Sequence, residues 1–373
     1  MSVVEKFFYH ILQFGFEEAE ALAFTNLFQR KSCPEKRLSN SNSAQKPRSF
    51  PPPPKFQIFP SLITIKMQFS FLCAVAAAIS GVKALGDLGF NLGVKSNDGS
   101  CKTAEDYAKD FDSLKSYTSI VKTYAVSDCN TLEILGPAAE LAGFQVIFGI
   151  WPTDEGHFAD EKSALQSFLP TISKSTVKVF SVGSEALYRE DMNASELADA
   201  IDSIKELLKT IKDKNGQSYE SVPVGTTDSW NVLVDYASEA AIKSADFVFA
   251  NAFSYWQGQT MKNASYSFFD DIMQALQVIQ TTKGLTDIEF WVGETGWPTD
   301  GSSFESASPS LSNAKKYWQQ AICAIRAWGI NTCVFEAHDE AWKPDTSGIS
   351  DVEKHWGVLD DSYNLKYSLD CEF

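Results

Sequence analysis

From Leu85 onward the chain alternates short runs rich in Val, Ile and Phe with helical stretches, eight times over. Continuous apolar runs of this kind are strands buried on both faces, and strands joined by helices run parallel. The predicted strands are Leu88–Val94, Ser119–Tyr124, Gln145–Ile150, Val177–Gly183, Val222–Thr226, Phe247–Ala250, Ile288–Gly293 and Thr332–Glu336. The helices between them are predicted at Ala104–Tyr117, Asn130–Ala142, Lys162–Thr171, Ala194–Lys212, Trp230–Ile242, Phe268–Thr282 and Asn313–Trp328. Eight such units in about 250 residues match an α/β chain closed as a (β/α)8 (TIM) barrel. The other arrangement open to this pattern, a doubly wound sheet, normally carries a Gly-rich phosphate loop after strand one. Here Gly89 and Gly93 lie within the strand itself.

Charge divides the chain. Residues 1–84 hold ten Lys/Arg and five Asp/Glu, a net of +5, which leaves −21 of the overall −16 on the rest. So acidic a domain does not suit nucleic acid or an anionic membrane surface, both of which call for basic patches. Met67–Ala84 reads as a secretory signal. Its apolar core, Phe69 to Ile79, is too short for a bilayer of roughly 30 Å, and Val82 and Ala84 supply small residues before the cut. Residues 1–66, with Pro51–Pro54 and a Ser/Asn/Lys/Arg-rich run from Arg30 to Arg48, read as a low-complexity leader in front of it, with Met67 as the expected true start. The expected organisation is thus leader 1–66, signal 67–84 and one catalytic domain 85–373. The C-terminal Asp370–Phe373 lacks the apolar tail of a lipid-anchor signal.

A secreted domain is expected to oxidise its cysteines. Cys101 follows strand one and Cys129 strand two, at the same barrel end. Cys371 can reach Cys323 on the last helix, which leaves Cys333 inside strand eight as a free thiol. Asn193 and Asn263 open N-glycosylation sequons. No Cys/His spacing suggests a metal, and no cofactor is expected.

Barrel active sites form at the C-terminal ends of the strands. Strand four ends in Val182-Gly183-Ser184-Glu185 and strand seven in Val292-Gly293-Glu294. Both carboxylates therefore belong to the rim, on strands that face one another across the mouth. A facing pair can divide the work of glycoside hydrolysis: one donates a proton to the leaving oxygen, the other attacks the anomeric carbon or activates water. The less solvated carboxyl suits the acid. Sugar faces pack on aromatic rings, and Trp151, Tyr255, Trp256, Trp297 and Trp342 fall near strand ends, although any one of them could equally serve core or loop packing. Polar groups at other strand ends complete the expected substrate-binding set: Tyr124, Asp228, Asn251, and the cluster Glu336, Glu340 and Lys343, which Asp339 adjoins and which could instead be a solvated charge cluster. Residue types alone leave the sugar open: mannan, cellulose and chitin suit the same carboxylates.

At these residues the chain resembles glycoside hydrolase family 17. The segments VGSEALYR (182–189), FWVGETGWPTDG (290–301) and VFEAHDEAWK (334–343) carry the likeness. NLGVKSNDGSCKT (91–103), DSWNVLV (228–234), the segment 251–280 and DVEKHWGV (351–358) extend it over about 88–373, nearest to the fungal cell-wall β-1,3-glucanase/glucanosyltransferase branch. The resemblance implies a (β/α)8 barrel, a retaining mechanism, Glu185 as proton donor, Glu294 as nucleophile, β-1,3-glucan as substrate and a secreted, wall-located monomer. Many relatives place Asn before the acid/base Glu, where it would contact the sugar 2-hydroxyl; this chain has Ser184, as the fungal wall branch does. The competing class is a non-catalytic glucan-binding wall protein on the same scaffold.

Overall fold

A computed structural model of the chain describes residues 85–344 and 351–373. The expected leader and signal fall outside the described residues. Eight parallel strands pair in chain order and the last returns to the first, closing a barrel. They are β1 Leu88–Asn91, β2 Ile120–Lys122, β3 Gln145–Ile150, β4 Val177–Ser184, β5 Val224–Ser229, β6 Val248–Asn251, β7 Phe290–Glu294 and β8 Asn331–Val334. The helices around it include α1 Ala104–Leu114, α2 Thr131–Ala142, α3 Glu155–Phe168, α4 Ala194–Leu208, α5 Trp230–Leu233, α6 Glu239–Ser244, α7 Ala264–Lys283 and α8 Leu311–Tyr317.

The expected architecture is the observed one, and the departures have local causes. The helix expected from Lys162 starts at Glu155, because Asp154 accepts from the His157 N–H (2.8 Å) and caps it earlier. The helix expected over Trp230–Ile242 is broken: the Asp235 carboxylate accepts from Ala237 N–H (2.8 Å) and starts a new 3-10 turn between α5 and α6. The last helix widens to a π-turn at Trp318–Cys323 before its final turn. Strand β5 reaches Ser229, so Asp228 lies within it rather than beyond its end.

Packing occurs in two shells. Between strands and helices lies the large outer core, from Phe90 and Phe148 to Trp318 and Trp356. Inside the barrel, alternate strand positions give a smaller apolar cluster of Ile120, Ile147, Val179, Phe247, Phe249, Trp291 and Cys333. Toward the C-terminal ends of the barrel strands the inner positions turn polar: Asn91, Lys122, Ser181, Thr227 and Asn251 are all buried. Burial of these groups is tolerable only when each finds a partner: Ser181 and Thr227 bond to each other, while Lys122 and Asn251 bond to carboxylates of the rim. Disulfides join Cys101 to Cys129 and Cys323 to Cys371, while Cys333 is a free buried thiol.

Candidate active site

Strand register sets both carboxylates at one level of the rim. Ser184 pairs with Thr227, Ser229 with Asn251, and Asn251 with Glu294. The last pairing follows a register shift after Ala250. Gly293 permits it: a Cβ there would sit 2.7 Å from both Asn251 Oδ1 and Thr227 Cγ2.

Glu294 is 7% exposed, and Lys122 Nζ on β2, itself 1% exposed, donates to its Oε1 at 2.8 Å. A pair this deep is costly to break, since either partner alone would be a stranded charge. The ammonium is held in turn. With Asn91 Nδ2 donating to Val334 O (3.2 Å), Asn91 Oδ1 accepts from Lys122 Nζ (3.2 Å) and from Tyr124 Oη (2.9 Å). The ammonium also lies 4.7 Å over the Tyr124 ring. Burial, then the charges of Glu294 and Glu336, push the Tyr124 phenol well above its ordinary value, so it stays a hydrogen-bond donor.

Glu185 sits in the opposite kind of setting. Gly183 (φ +77°) and Glu185 itself (φ +56°) take left-handed backbone, which turns the chain sharply off the end of β4. The Glu185 N–H donates to Thr227 O (2.9 Å), and Oε1 accepts from the neutral Asn251 amide (2.9 Å). Burial first, and the Glu294 charge second, raise the Glu185 carboxyl to about 7. The nearby Arg189 is committed elsewhere: its guanidinium pairs with Asp191 (2.9 Å) and stacks 4.7 Å over Trp151.

The segment after β8 brings a third set of charges. Lys343 Nζ donates to Glu336 Oε1 (2.7 Å) and pairs with Glu340 Oε2 (2.9 Å). Burial, then Glu340, drives the Glu336 carboxyl up, while the two carboxylates outweigh burial and hold the Lys343 ammonium protonated. Glu340 can lie against the segment after β1 only because residue 93 is Gly, whose Cβ would overlap Glu340 Oε1 at 1.6 Å. The cluster is thus buried and paired rather than solvated.

Several sequence expectations change place. Asp228 is fully buried and accepts from Leu187 N–H (2.9 Å), Tyr188 N–H (3.2 Å) and Ser229 N–H (2.8 Å), so it has no face for a sugar. Tyr255 is buried with its hydroxyl on Ser302 O (2.5 Å), and Trp297 is buried with its indole N–H on Ser308 O (3.0 Å). These two rings pack edge to face, at 5.4 Å between centroids, as a wall behind the cleft. Trp151, Trp256 and Tyr124 keep partly exposed faces, while Asn251 is buried but reaches Glu185 directly. Sequence reading missed Lys122 and Asn91. The signal was present, because a Lys in the strand Ile-Val-Lys has an inward parity that only a buried anion can justify. Asn193 and Asn263 are exposed at helix N-caps.

Among the described residues Asp128, His157 and Glu161 could converge on an ion, but their atoms are already used. Glu161 accepts from Val126 N–H (3.0 Å) and Ser127 N–H (3.1 Å), and His157 bridges Trp151 O (3.0 Å) and Asp128 (2.9 Å). The cluster clamps the loop that carries Trp151.

Comparison with known proteins gives the family of the chain. Residues 88–371 match the sequence profile of the Glycosyl hydrolases family 17. A glucan 1,3-β-glucosidase of Candida albicans is 65% identical over 307 residues, covering 82% of this chain and all of the relative. One from Saccharomyces cerevisiae is 63% identical over 312 residues, with the same coverage of each. Among solved structures, a family 17 β-1,3-glucanosyltransferase from Rhizomucor miehei superposes with a TM-score of 0.65 at 31% identity, over 76% of this chain and 97% of its own. An active-site mutant of that enzyme in complex with laminaritriose gives 0.64 at 31% identity, over 76% and 98%. The chain belongs to glycoside hydrolase family 17.

Proposed function

We propose that this protein is a retaining glycosidase of β-1,3-glucan that also transfers glucan chains, with Glu185 as acid/base and Glu294 as nucleophile. The observation that carries the reading is the unequal treatment of two carboxyls on one rim. One is bonded to a buried ammonium; the other is raised to about 7 with only a neutral amide on it. An ion-paired carboxylate is available to attack, and a carboxyl near 7 is available to give a proton and take one back.

The steps follow. A β-1,3-glucan lies across the barrel mouth with sugar faces on the exposed faces of Trp151 and Trp256. Glu185 protonates the glycosidic oxygen as a Glu294 carboxylate oxygen attacks the anomeric carbon, and the leaving chain departs with its new hydroxyl. Glu185, now ionised, takes the proton of water or of a glucan hydroxyl as that oxygen bonds to the anomeric carbon and displaces the Glu294 carboxylate, which yields hydrolysis or transfer. The names of the relatives, glucan 1,3-β-glucosidase and β-1,3-glucanosyltransferase, support the substrate and both outcomes. Secretion to a fungal wall and one catalytic domain over 85–373 complete the reading. Two disulfides, exposed sequon asparagines and the signal-like Met67–Ala84 support it.

Mass spectrometry of products from a reduced laminari-oligosaccharide tests the reaction. Products longer than the substrate establish transfer, and shorter ones alone establish hydrolysis. Binding with no product of either kind would favour a non-catalytic glucan-binding protein.

A further inference from the structure

We propose that Asp228 is the positioning residue of the acid/base, its carboxylate pinning the left-handed turn from which Glu185 projects. The inference rests on the reading of Glu185 as acid/base and adds to it a residue without contact to the sugar.

Three observations converge. First, Glu185 has φ +56°, a conformation that side-chain-bearing residues hold only when their surroundings enforce it. Second, β5 supplies the enforcement in consecutive contacts: Thr227 O accepts from Glu185 N–H (2.9 Å), Asp228 Oδ2 from Leu187 N–H (2.9 Å) and Oδ1 from Tyr188 N–H (3.2 Å). The turn then closes on itself, with Arg189 N–H on Glu185 O (2.9 Å) and Asp191 N–H on Ala186 O (3.0 Å). Third, Asp228 is wholly buried and takes its hydrogen bonds from backbone N–H groups, including Ser229 N–H at 2.8 Å. Only a carboxylate offers acceptors on both atoms. In Asn the amide N–H2 would oppose one of those N–H donors.

The charge has a second effect. The groups facing Glu185 are Asn251 from β6, Glu294 from β7, Asp228 from β5 and Arg189 from its own turn. Asp228 and Glu294 both favour the protonated carboxyl, whereas Asn251 and Arg189 oppose it. Asp228 itself is raised to about 6 by burial against the pull of its three N–H donors. It therefore fixes the direction of the acid and helps keep the proton on it.

Leaving-group dependence separates this role from general scaffolding. An aryl glycoside such as 2,4-dinitrophenyl β-laminaribioside departs without protonation, so its kcat/KM, which reports formation of the glycosyl-enzyme, does not need the acid. Asp228→Asn is expected to lose about 30-fold or more of kcat/KM on laminarin while staying within roughly threefold of wild type on the aryl glycoside. The alkaline limb of its pH profile is expected to move to lower pH, since removing a neighbouring negative charge eases ionisation of Glu185. Equal losses on both substrates, or no loss on laminarin, would overturn the proposal. Glu185→Gln is run alongside. If it lacks the substrate split, the acid/base reading fails; if it has the split and Asp228→Asn does not, only the present inference fails. Should Asp228→Asn prove too unstable to assay, Asp228→Glu, whose longer side chain keeps the charge but displaces the turn, is put through the same comparison. There the split supports the proposal and uniform loss refutes it.

Discussion

Glu294 and Glu185 end two strands of one barrel, share the neighbour Asn251, and are treated oppositely. Glu294, on β7, is reached through the barrel interior by Lys122 of β2, which Asn91 of β1 holds, so it is bonded to an ammonium at 2.8 Å. The β4 side meets β5 and β6, whose contributions are Thr227, Asp228 and Asn251; none is a cation, and Glu185 is raised to about 7. The electrostatic setting of each carboxyl is a property of the strands that reach it rather than of the residue. The contrast extends to backbone: Glu294 lies within strand β7, whereas Glu185 sits in a left-handed turn that must be held from outside.

Removing the paired side of this contrast has the largest expected effect. Glu294→Ala is expected to lower kcat on laminarin by about 10⁴-fold or more, for hydrolysis and transfer together, because no covalent intermediate can form. Near-normal turnover would remove Glu294 from the mechanism. On the other side, Glu185→Gln is expected to cost about 10²–10⁴-fold on laminarin, the range of a lost general acid. In the wild type, kcat/KM should fall as pH rises through about 7, as Glu185 gives up its proton. A profile flat from pH 5 to 9 would contradict the assignment.

The remaining tests read stability. Lys122→Met strands Glu294 as a buried anion, and urea unfolding should show a loss of roughly 3–5 kcal/mol. Adding Glu294→Gln in the same chain should recover part of it; purely additive losses would mean the two charges are not coupled. The smallest effect has a sign set by linkage. Glu185 holds its proton more tightly folded (about 7) than at its ordinary 4.5, so the folded state loses stability as pH climbs between those values. Glu185→Gln should therefore be more stable than wild type at pH 8, by about 1–3 kcal/mol, and no more stable at pH 4. Equal stability at pH 8 would deny the unfavourable burial of that charge.

Much of this was legible in the chain. Buried parallel strands announce themselves as apolar runs, and Val-Gly-Ser-Glu and Val-Gly-Glu end two of them, so the barrel and both carboxyls follow from order and spacing. The support of those carboxyls was harder to read, because it depends on register between strands far apart in sequence. Lys122 lies 172 positions from Glu294. Asp228 looked like a rim residue because β5 was expected to end at Thr226; the strand runs on to Ser229, and the side chain turns beneath the Glu185 turn instead of into the cleft. Trp297 and Tyr255 were misplaced for a related reason. An aromatic near a strand end can face the sugar or the wall behind it, and only partners such as Ser308 O and Ser302 O decide between them.

The division of labour between the two glutamates can be tested at the covalent step. Wild-type protein is incubated with 2-deoxy-2-fluoro-β-laminaribiosyl fluoride, digested, and its peptides are sequenced by mass spectrometry, with the anomeric form of the first product from laminarin followed by NMR. The expected result is one adduct, on Glu294, and a β-configured product. An adduct on any other residue, or no adduct together with an α-configured product, would contradict it.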